Sequence, residues 1–229
     1  MKPKLVVLSG AGMSAESGLA TFRGSDGLWE GHKIEEVATW EGWKRNREKV
    51  LDFYNARRQQ LAKVQPNEGH RAIQALESDF SVHIITQNVD DLHERAGSKN
   101  VLHLHGQLTQ ARSTVDEYLI YDISYRDIAL GDTCEKGSQL RPHIVWFGEL
   151  VPAIEEAVQL TRQADIFVVV GTSLQVYPAA SLLDYVPYDA QKFAIDIEKP
   201  RSLSSGIQFI QASASEGLKR LREIVIETL

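Results

Sequence analysis

The stretch Lys4-Leu5-Val6-Val7-Leu8-Ser9-Gly10-Ala11-Gly12-Met13-Ser14-Ala15-Glu16-Ser17-Gly18 decides the fold. Residues 4–8 carry four apolar side chains in five, which suits a strand buried on both faces of a parallel sheet. Gly10 and Gly12 remove two Cβ atoms where the chain must turn sharply, and Gly12 would let a ligand approach the backbone closely. A helix start after this turn would offer free N–H groups and a positive dipole end, a combination that suits a pyrophosphate. The dinucleotide fingerprint has a third glycine three residues after the second; here Ala15 stands there and Gly18 comes later. Taken alone, the stretch fits a nucleotide site and an ordinary tight strand–helix turn equally well.

Working outward, further apolar runs recur at the spacing of an alternating α/β fold. Residues 80–86, 101–105, 165–170, 192–197 and 207–211 read as strands. Residues 66–78 read as a helix carrying His70, Ile73 and Leu76, and Pro152 sits at the first position of another that carries Ile154, Val158 and Thr161. The last helix has Ser215 as its cap and Leu218, Leu221, Val225 and Leu229 as one stripe. Two parts break the alternation. Residues 31–63 read as a helical insert, and residues 109–140 as a compact irregular module with short strands. The expected architecture is α/β: a Rossmann-like parallel sheet flanked by helices (1–30, 64–108 and 141–229), with a small second lobe made from the two insertions (31–63 and 109–140).

The 229 residues are 43 % hydrophobic and carry a formal net charge of -6. That is enough apolar material for a sizeable core, and the charge speaks against a surface built for nucleic acid. No apolar run approaches the ~18 residues of a membrane span, and the N-terminus has no signal-type segment. A monomer working in the cytoplasm is expected. The single cysteine, Cys134, excludes an internal disulfide and a cysteine-based structural zinc site within one chain.

Ligands of open α/β sheets bind beyond the carboxyl ends of the strands. The strands here end in Gly10-Ala11-Gly12, Gln87-Asn88-Val89-Asp90, His105-Gly106, Gly171-Thr172-Ser173, and Asp196 with Glu198. Asn88 or Asp90 alone reads as readily as a helix cap, and His105 alone as a packing residue. Five such ends together favour a nucleotide site.

Gly10-Ala11-Gly12-Met13-Ser14 through Thr21-Phe22-Arg23-Gly24, then Thr86 to Asp90, Leu104-His105-Gly106, Val145-Trp146-Phe147-Gly148-Glu149 and Gly171-Thr172-Ser173-Leu174 resemble the ordered motifs of the sirtuins, NAD-dependent protein lysine deacylases. The resemblance runs from residue 4 to about residue 215. It implies NAD consumed as a co-substrate and acylated lysine in proteins as the other substrate. It also implies roles. Gly10, Ala11, Gly12 and Ser14 lie along the cofactor, and Phe22 and Arg23 belong to a loop over it. Gln87, Asn88 and Asp90 line the nicotinamide and ribose pocket, Asn88 and Asp90 as catalytic groups. His105 is the general base, and His103 is structural. Val145, Trp146, Phe147, Gly148 and Glu149 lie along the peptide, which can pair as an added strand. Gly171, Thr172, Ser173 and Asp196 meet the adenosine side; family members often have asparagine at the last of these. The chemistry explains the residue types: the acyl oxygen attacks C1′ of the nicotinamide ribose as nicotinamide leaves, and a histidine then deprotonates a ribose hydroxyl.

In the helix predicted at 43–63, Trp43, Val50, Tyr54 and Leu61 share a face with Arg47 and Arg57. Periodicity allows Arg57 to reach out from the core edge with its stem packed. The family resemblance offers another reading, because Phe53-Tyr54-Asn55-Ala56-Arg57 is similar to the Tyr-x-x-Arg pair of desuccinylase-type (class III) sirtuins. That pair implies binding of the carboxylate of a succinyl, malonyl or glutaryl group, besides acetyl. The chain departs from most sirtuins in lacking four zinc-binding cysteines, so no metal is expected. A hydrophobic cluster of Val115, Tyr118, Leu119, Tyr121, Ile123, Tyr125, Ile128 and Leu130 is expected in its place. Protein mono-ADP-ribosylation, NAD hydrolysis and a non-catalytic NAD-binding module remain the competing readings.

Overall fold

The computed structural model describes residues 2–20, 28–29, 31–200 and 203–227. Its main sheet is parallel and six-stranded. The chain enters with β1 (Lys4–Ser9) and a seven-residue 3-10 turn (Ala11–Ser17), then a small hairpin, β2 (Leu28–Trp29) and β3 (His32–Lys33). Three helices follow: α1 (Ile34–Val37), α2 (Trp40–Arg45) and α3 (Arg47–Leu61). Next come α4 (Glu68–Ala75), β4 (Ser81–Thr86), α5 (Leu92–Arg95) and β5 (Val101–His103). The second insertion holds β6 (Gly106–Ser113), β7 (Ile120–Asp122) and β8 (Leu140–Ile144). The chain closes with α6 (Ile154–Thr161), β9 (Ile166–Val170), β10 (Gln191–Asp196), β11 (Gln208–Gln211) and α7 (Ala214–Ile226). The main sheet has the order β11-β10-β9-β1-β4-β5, and β7-β6-β8 form a separate antiparallel sheet.

β1 is central, which explains its apolar run. Leu5 and Val7 face a core that includes Ile73, Leu76, Leu218 and Leu221, beneath α4 and α7. Val6 and Leu8 face the opposite core with Ile85, Ala157 and Phe167. Strand alternation therefore buries both faces at once. A further core joins Trp43, Val50, Tyr54 and Leu61 of α2 and α3 to Leu108, Ala111, Ile128 and Leu140 of the second insertion.

Several local expectations are corrected. The helix predicted at 43–63 is two helices, because Asn46 interrupts it and accepts the Lys49 N–H at 3.0 Å as the cap of α3. α7 is capped by Ser213, whose hydroxyl accepts from Glu216 N–H; Ser215 Oγ takes the Gly69 N–H at 3.0 Å. α6 begins at Ile154 with Ala153 as its cap, so Pro152 precedes the helix. β5, expected over 101–105, ends at His103 because Gly106, at φ +79°, starts β6 in a new direction. Leu229 and the loop residues Phe22 and Arg23 lie outside the described residues. The expected cluster in the second insertion is only half formed. Ile123 and Ile128 are buried and Leu119, Tyr121 and Tyr125 partly so, whereas Val115, Tyr118 and Leu130 are exposed. Only the side of the module that meets α3 offers an apolar surface to pack against.

Candidate active site

The carboxyl ends of β1, β4 and β9 lie side by side, so the turns that follow them meet. The glycines there serve backbone packing. A Cβ on Gly12 would stand 2.7 Å from Gly171 Cα, and one on Gly171, at φ +62°, would stand 2.3 Å from Met13 N. Gly12 N–H is spent on Gly171 O at 2.8 Å, and Met13 N–H on Gly10 O at 2.9 Å. The expected row of free donors at a helix start is therefore reduced, and the element is a short 3-10 turn. What these glycines achieve is close approach of two strand ends, which brings Ser14, Thr172 and the residues after β4 within one crevice.

Within the crevice the side chains form a connected set. Asn88 Nδ2 donates to Ser14 Oγ at 3.1 Å, and the Ser14 hydroxyl donates to Asp90 Oδ2 at 2.8 Å. Asp90 Oδ1 accepts the Leu92 N–H at 3.1 Å and so starts α5. Burial pushes the Asp90 carboxyl up to about 6, against the pull of its bonds from Ser14 and Leu92. Gln87 Nε2 donates to Thr172 Oγ1 at 3.1 Å, bridging the β4 and β9 turns. Ala11, Gly12 and Ser173 line the same end of the sheet, partly exposed. Asp196, buried at the end of β10, accepts the Glu198 N–H on Oδ1 at 3.3 Å.

His103 and His105 show how neighbours divide two histidines. Each places Nδ1 against a carbonyl of the same turn, His103 on Asn88 O at 3.1 Å and His105 on Gln87 O at 3.0 Å. A carbonyl only accepts, so Nδ1 carries the proton in both. His103 Nε2 meets Glu94 Oε1 at 2.7 Å. Burial lowers its affinity for a proton, but the carboxylate outweighs that and the pKa is raised. Among the described residues no carboxylate stands against His105; burial lowers its pKa, and the lone pair sits on Nε2. A neutral imidazole with a fixed tautomer is the form a general base needs.

On the other wall, Trp146 is buried and its Nε1–H donates to Tyr54 Oη at 3.0 Å. Burial raises the Tyr54 phenol well above its ordinary value. Glu149 accepts from Arg141 Nη1 at 2.6 Å, from Arg112 Nη2 at 3.2 Å and from Trp146 N–H at 2.8 Å. Val145 N–H goes to His105 O and Phe147 N–H to Ala38 O, so this segment is wedged between the two parts of the molecule. Phe147 and Gly148 are its exposed members. Three consecutive N–H groups are thus engaged internally, which leaves an added peptide fewer donors to pair with.

Tyr54 and Arg57 are one turn apart on α3, but their surroundings differ. Arg57 lines a cavity of about 450 Å³ with His32, Lys49, Asp52 and Phe53, its guanidinium 5.1 Å from the Phe53 ring centroid. Tyr54 is buried behind that cavity against Trp146. Sequence periodicity missed the arginine that is fully buried, Arg58. Its Nε donates to Leu108 O and its Nη1 to Asn55 Oδ1, both at 2.6 Å, and burial lowers its pKa to about 10. It also missed Arg141, Ser9, Thr86 and His93. Arg141 alternates with His143 on β8, a weak signal; His93 lies three residues beyond Asp90, at the spacing that returns a side chain toward the start of its own turn.

Among the described residues no helix is long and apolar enough to cross a membrane, and no group of three or more His, Cys, Asp and Glu side chains is placed to hold a metal ion.

Comparison with known proteins adds to this geometry. The Sir2 family model matches residues 10–178. An NAD-dependent protein deacylase of Helicobacter pylori (strain ATCC 700392 / 26695) is 54 % identical over 224 residues, covering 97 % of each chain. One of Bacteroides thetaiotaomicron is 52 % identical over 229 residues, again covering 97 % of each chain. A crystal structure of a Sir2 homologue–NAD complex superposes with a TM-score of 0.87 at 39 % identity, covering 99 % of this chain and 91 % of that one. The chain belongs to the Sir2 family.

Proposed function

We propose that this chain is an NAD-dependent protein-lysine deacylase. The observation that carries the reading is His105: a neutral imidazole of fixed tautomer, tied to the same turn that presents Asn88 and Asp90. The crevice fits NAD by the chemistry of its donor set. Ser14, Asn88 and Asp90 combine hydroxyl, amide and carboxyl groups that suit a carboxamide, and Asp196 offers a buried carboxylate to ribose hydroxyls. When bound, NAD supplies an electrophilic ribose carbon with nicotinamide as its leaving group, and the acyl group departs as O-acyl-ADP-ribose.

The chain's own residues do the rest. Gly10, Ala11, Gly12, Gly171, Thr172 and Ser173 form the floor of the cofactor cleft. Gln87 holds that floor together through Thr172. Asn88 and Asp90 orient the nicotinamide end and keep water out of a buried pocket. His105 Nε2 takes a proton from a ribose hydroxyl, and Gln87 O holds the ring while it does so. Phe22 and Arg23 are assigned to the cofactor by their motif. Val145 to Glu149 guide the acyl-lysine peptide, with Glu149 locked by Arg141 and Arg112 so that Phe147 and Gly148 face outward. Relatives named as NAD-dependent protein deacylases support this reading.

The finer reading is a preference for acidic acyl groups. Support comes from Arg57 at the wall of a cavity large enough for a short acyl chain; Glu48 and Asp52 line it too and Lys49 is paired to Glu36 at 2.6 Å, so the reading rests on the Arg57 guanidinium. Tyr54 is assigned to the carboxylate by its motif; it lies buried behind the Arg57 wall, its oxygen accepting from Trp146 Nε1–H. The enzyme works as a cytoplasmic monomer without zinc, and the net charge of -6 suits protein substrates better than nucleic acid.

Nicotinamide release separates the readings. The wild-type protein is expected to release nicotinamide from NAD only when an acyl-lysine peptide is present. Release independent of peptide would point to NAD hydrolysis instead. Metal analysis of the same preparation is expected to find less than one zinc per chain; one tightly held zinc would overturn the metal-free reading.

A further inference from the structure

The turn after β4 carries Asn88 and Asp90, and both of its ends are tied to Ser9 at the end of β1. At the near end, the Ser9 hydroxyl donates to Thr86 Oγ1 at 2.9 Å, and that oxygen also takes the Asn88 N–H at 3.0 Å. At the far end, Asp90 Oδ1 accepts the Leu92 N–H, and α5 then returns His93 to Ser9, with Nε2 to Oγ at 3.0 Å. The result is a closed ring of polar contacts around two residues of the cofactor pocket.

Proton positions follow from the partners. Ser9 gives its own proton to Thr86, so it accepts from His93, and the proton of a neutral His93 ring sits on Nε2. Behind it, the His70 ring lies edge-on, with centroids 4.9 Å apart. His70 Nδ1 takes the Asn67 N–H at 3.3 Å, so the proton of a neutral His70 ring also sits on Nε2. Both side chains are buried, and His70 Nε2 and His93 Nδ1 have no hydrogen-bond partner among the described residues. Burial is the main reason both rings stay neutral: it lowers His70 to about 4 and His93 well below its ordinary value. Packing alone would be met by any apolar side chain here. A histidine whose Nε2 meets the hydroxyl pair that holds the pocket turn, with a second neutral histidine packed edge-on behind it, is not needed for that.

We propose that His93, held as its Nε2–H tautomer with His70 behind it, is a positioning residue for deacylation: through Ser9 and Thr86 it fixes the Asn88 backbone, and with it the orientation of Asn88 and Asp90. The proposal rests on the deacylase reading. His93 is buried and meets the pocket turn only through the ring of hydroxyls.

Two measurements test it. Long-range ¹H–¹⁵N spectra of the ligand-free protein, labelled at histidine, should show His93 protonated at Nε2 and bare at Nδ1 at pH 7. Ser9→Ala should release that preference. A proton on Nδ1, or an imidazolium, would overturn the proposal without any appeal to activity. Kinetically, His93→Leu removes the donor, whereas His93→Gln puts an amide N–H where Nε2 stood. His93→Leu should lower kcat about tenfold, the usual scale for one lost buried hydrogen bond, while KM for the acyl peptide is unchanged. His93→Gln should recover most of that loss. Equal loss in both variants would mean that the residue only fills space. Should His93→Leu fail to fold, Ser9→Ala carries the kinetic arm, with the same tenfold loss expected and wild-type kcat contradicting it. A wild-type protein without acyl-dependent turnover would overturn the deacylase reading; a wrong tautomer in an active protein would overturn this one.

Discussion

The crevice at the ends of β1, β4 and β9 and the β6–β8 module are both rich in polar side chains, but they use them in different ways. In the crevice the bonds run between distant parts of the chain: Ser14 to Asp90, Gln87 to Thr172, Ser9 to His93. In the module a few tie it to its surroundings, with Asn55 Nδ2 donating to Ile128 O and Tyr125 Oη to Asp91 Oδ2, but its loops also close many bonds on near neighbours. Ser113 Oγ accepts the N–H groups of Val115 and Asp116, Asp122 that of Ser124, and Asp132 that of Ala129. Long-range bonds on rigid strand ends fix groups relative to one another, which is what a site needs. Local bonds shape a loop and ask little of the core, so Val115, Tyr118 and Leu130 remain exposed there. The lesson is that a site is marked by where its polar bonds go rather than by how many there are.

Four substitutions and one change of pH can break or sharpen that contrast. The largest effect is expected at His105. His105→Ala should lower deacylation by roughly 10²–10⁴-fold while NAD binding, measured by titration calorimetry, stays near the wild-type value. Near-normal turnover would remove the base from the crevice.

Next is the joint between the regions. Glu149→Ala leaves Arg141 buried with its carboxylate partner gone, and breaking such a pair costs about 3–5 kcal/mol. Chemical denaturation should show a loss on that scale. By contrast Asp116→Ala, which removes the exposed pair with Lys136, should cost about 1 kcal/mol or less. Equal losses would mean that the two regions do not differ as described.

Smaller is the effect at the wall of the Arg57 cavity. Losing a charge-assisted bond costs about 1.5–3 kcal/mol, so Arg57→Met should raise KM for a succinyl-lysine peptide roughly 10- to 100-fold and spare the acetyl peptide. Equal loss on both peptides would contradict the acidic-acyl preference.

The mildest expected effect is on stability against pH. Burial lowers His70 and His143 to about 4 from an ordinary 6.5, and lowers His93 well below its ordinary value. Between those values the unfolded chain binds more protons than the native one, so their contribution is full above about pH 6.5 and is lost as pH falls toward 4. Asp90, raised to about 6, acts in the opposite sense and blunts the slope, whereas His103, raised above its ordinary value, acts above pH 6.5 and leaves this window unchanged. Tm should therefore fall as the buffer goes from pH 6.5 to pH 4. A Tm that rises over that range would show that the buried histidines are not neutral in the native state.

Much of the crevice is legible from sequence because each strand end carries its functional residues within a few positions. Gly10 to Ser14, Gln87 to Asp90, His105 and Gly171 to Ser173 can each be placed once the strand before them is found. Their reasons are less legible. Gly12 suggests room for a ligand, yet the missing Cβ faces Gly171, and only the pairing of β1 with β9 discloses that. Arg57 stands on the apolar stripe of α3, but Arg58 is the one buried, since α3 meets β6 on that side and Leu108 O accepts its Nε–H. Helix periodicity tells which residues share a face and says nothing of which strand will cover it. The density of apolar residues in 115–130 suggests a cluster, but a small antiparallel sheet with one covered side can bury only the residues turned toward α3.

The central claim is that the crevice delivers an acyl group from lysine to the ribose of NAD, with His105 Nε2 as the base. Mass spectrometry of the products formed from NAD and acetyl-, succinyl- or glutaryl-lysine peptides tests it most directly. The expected result is one O-acyl-ADP-ribose per deacylated lysine with the wild-type chain, and a loss of roughly 10²-fold or more with His105→Ala. ADP-ribosylated protein, or free ADP-ribose with the acyl-lysine intact, would contradict it.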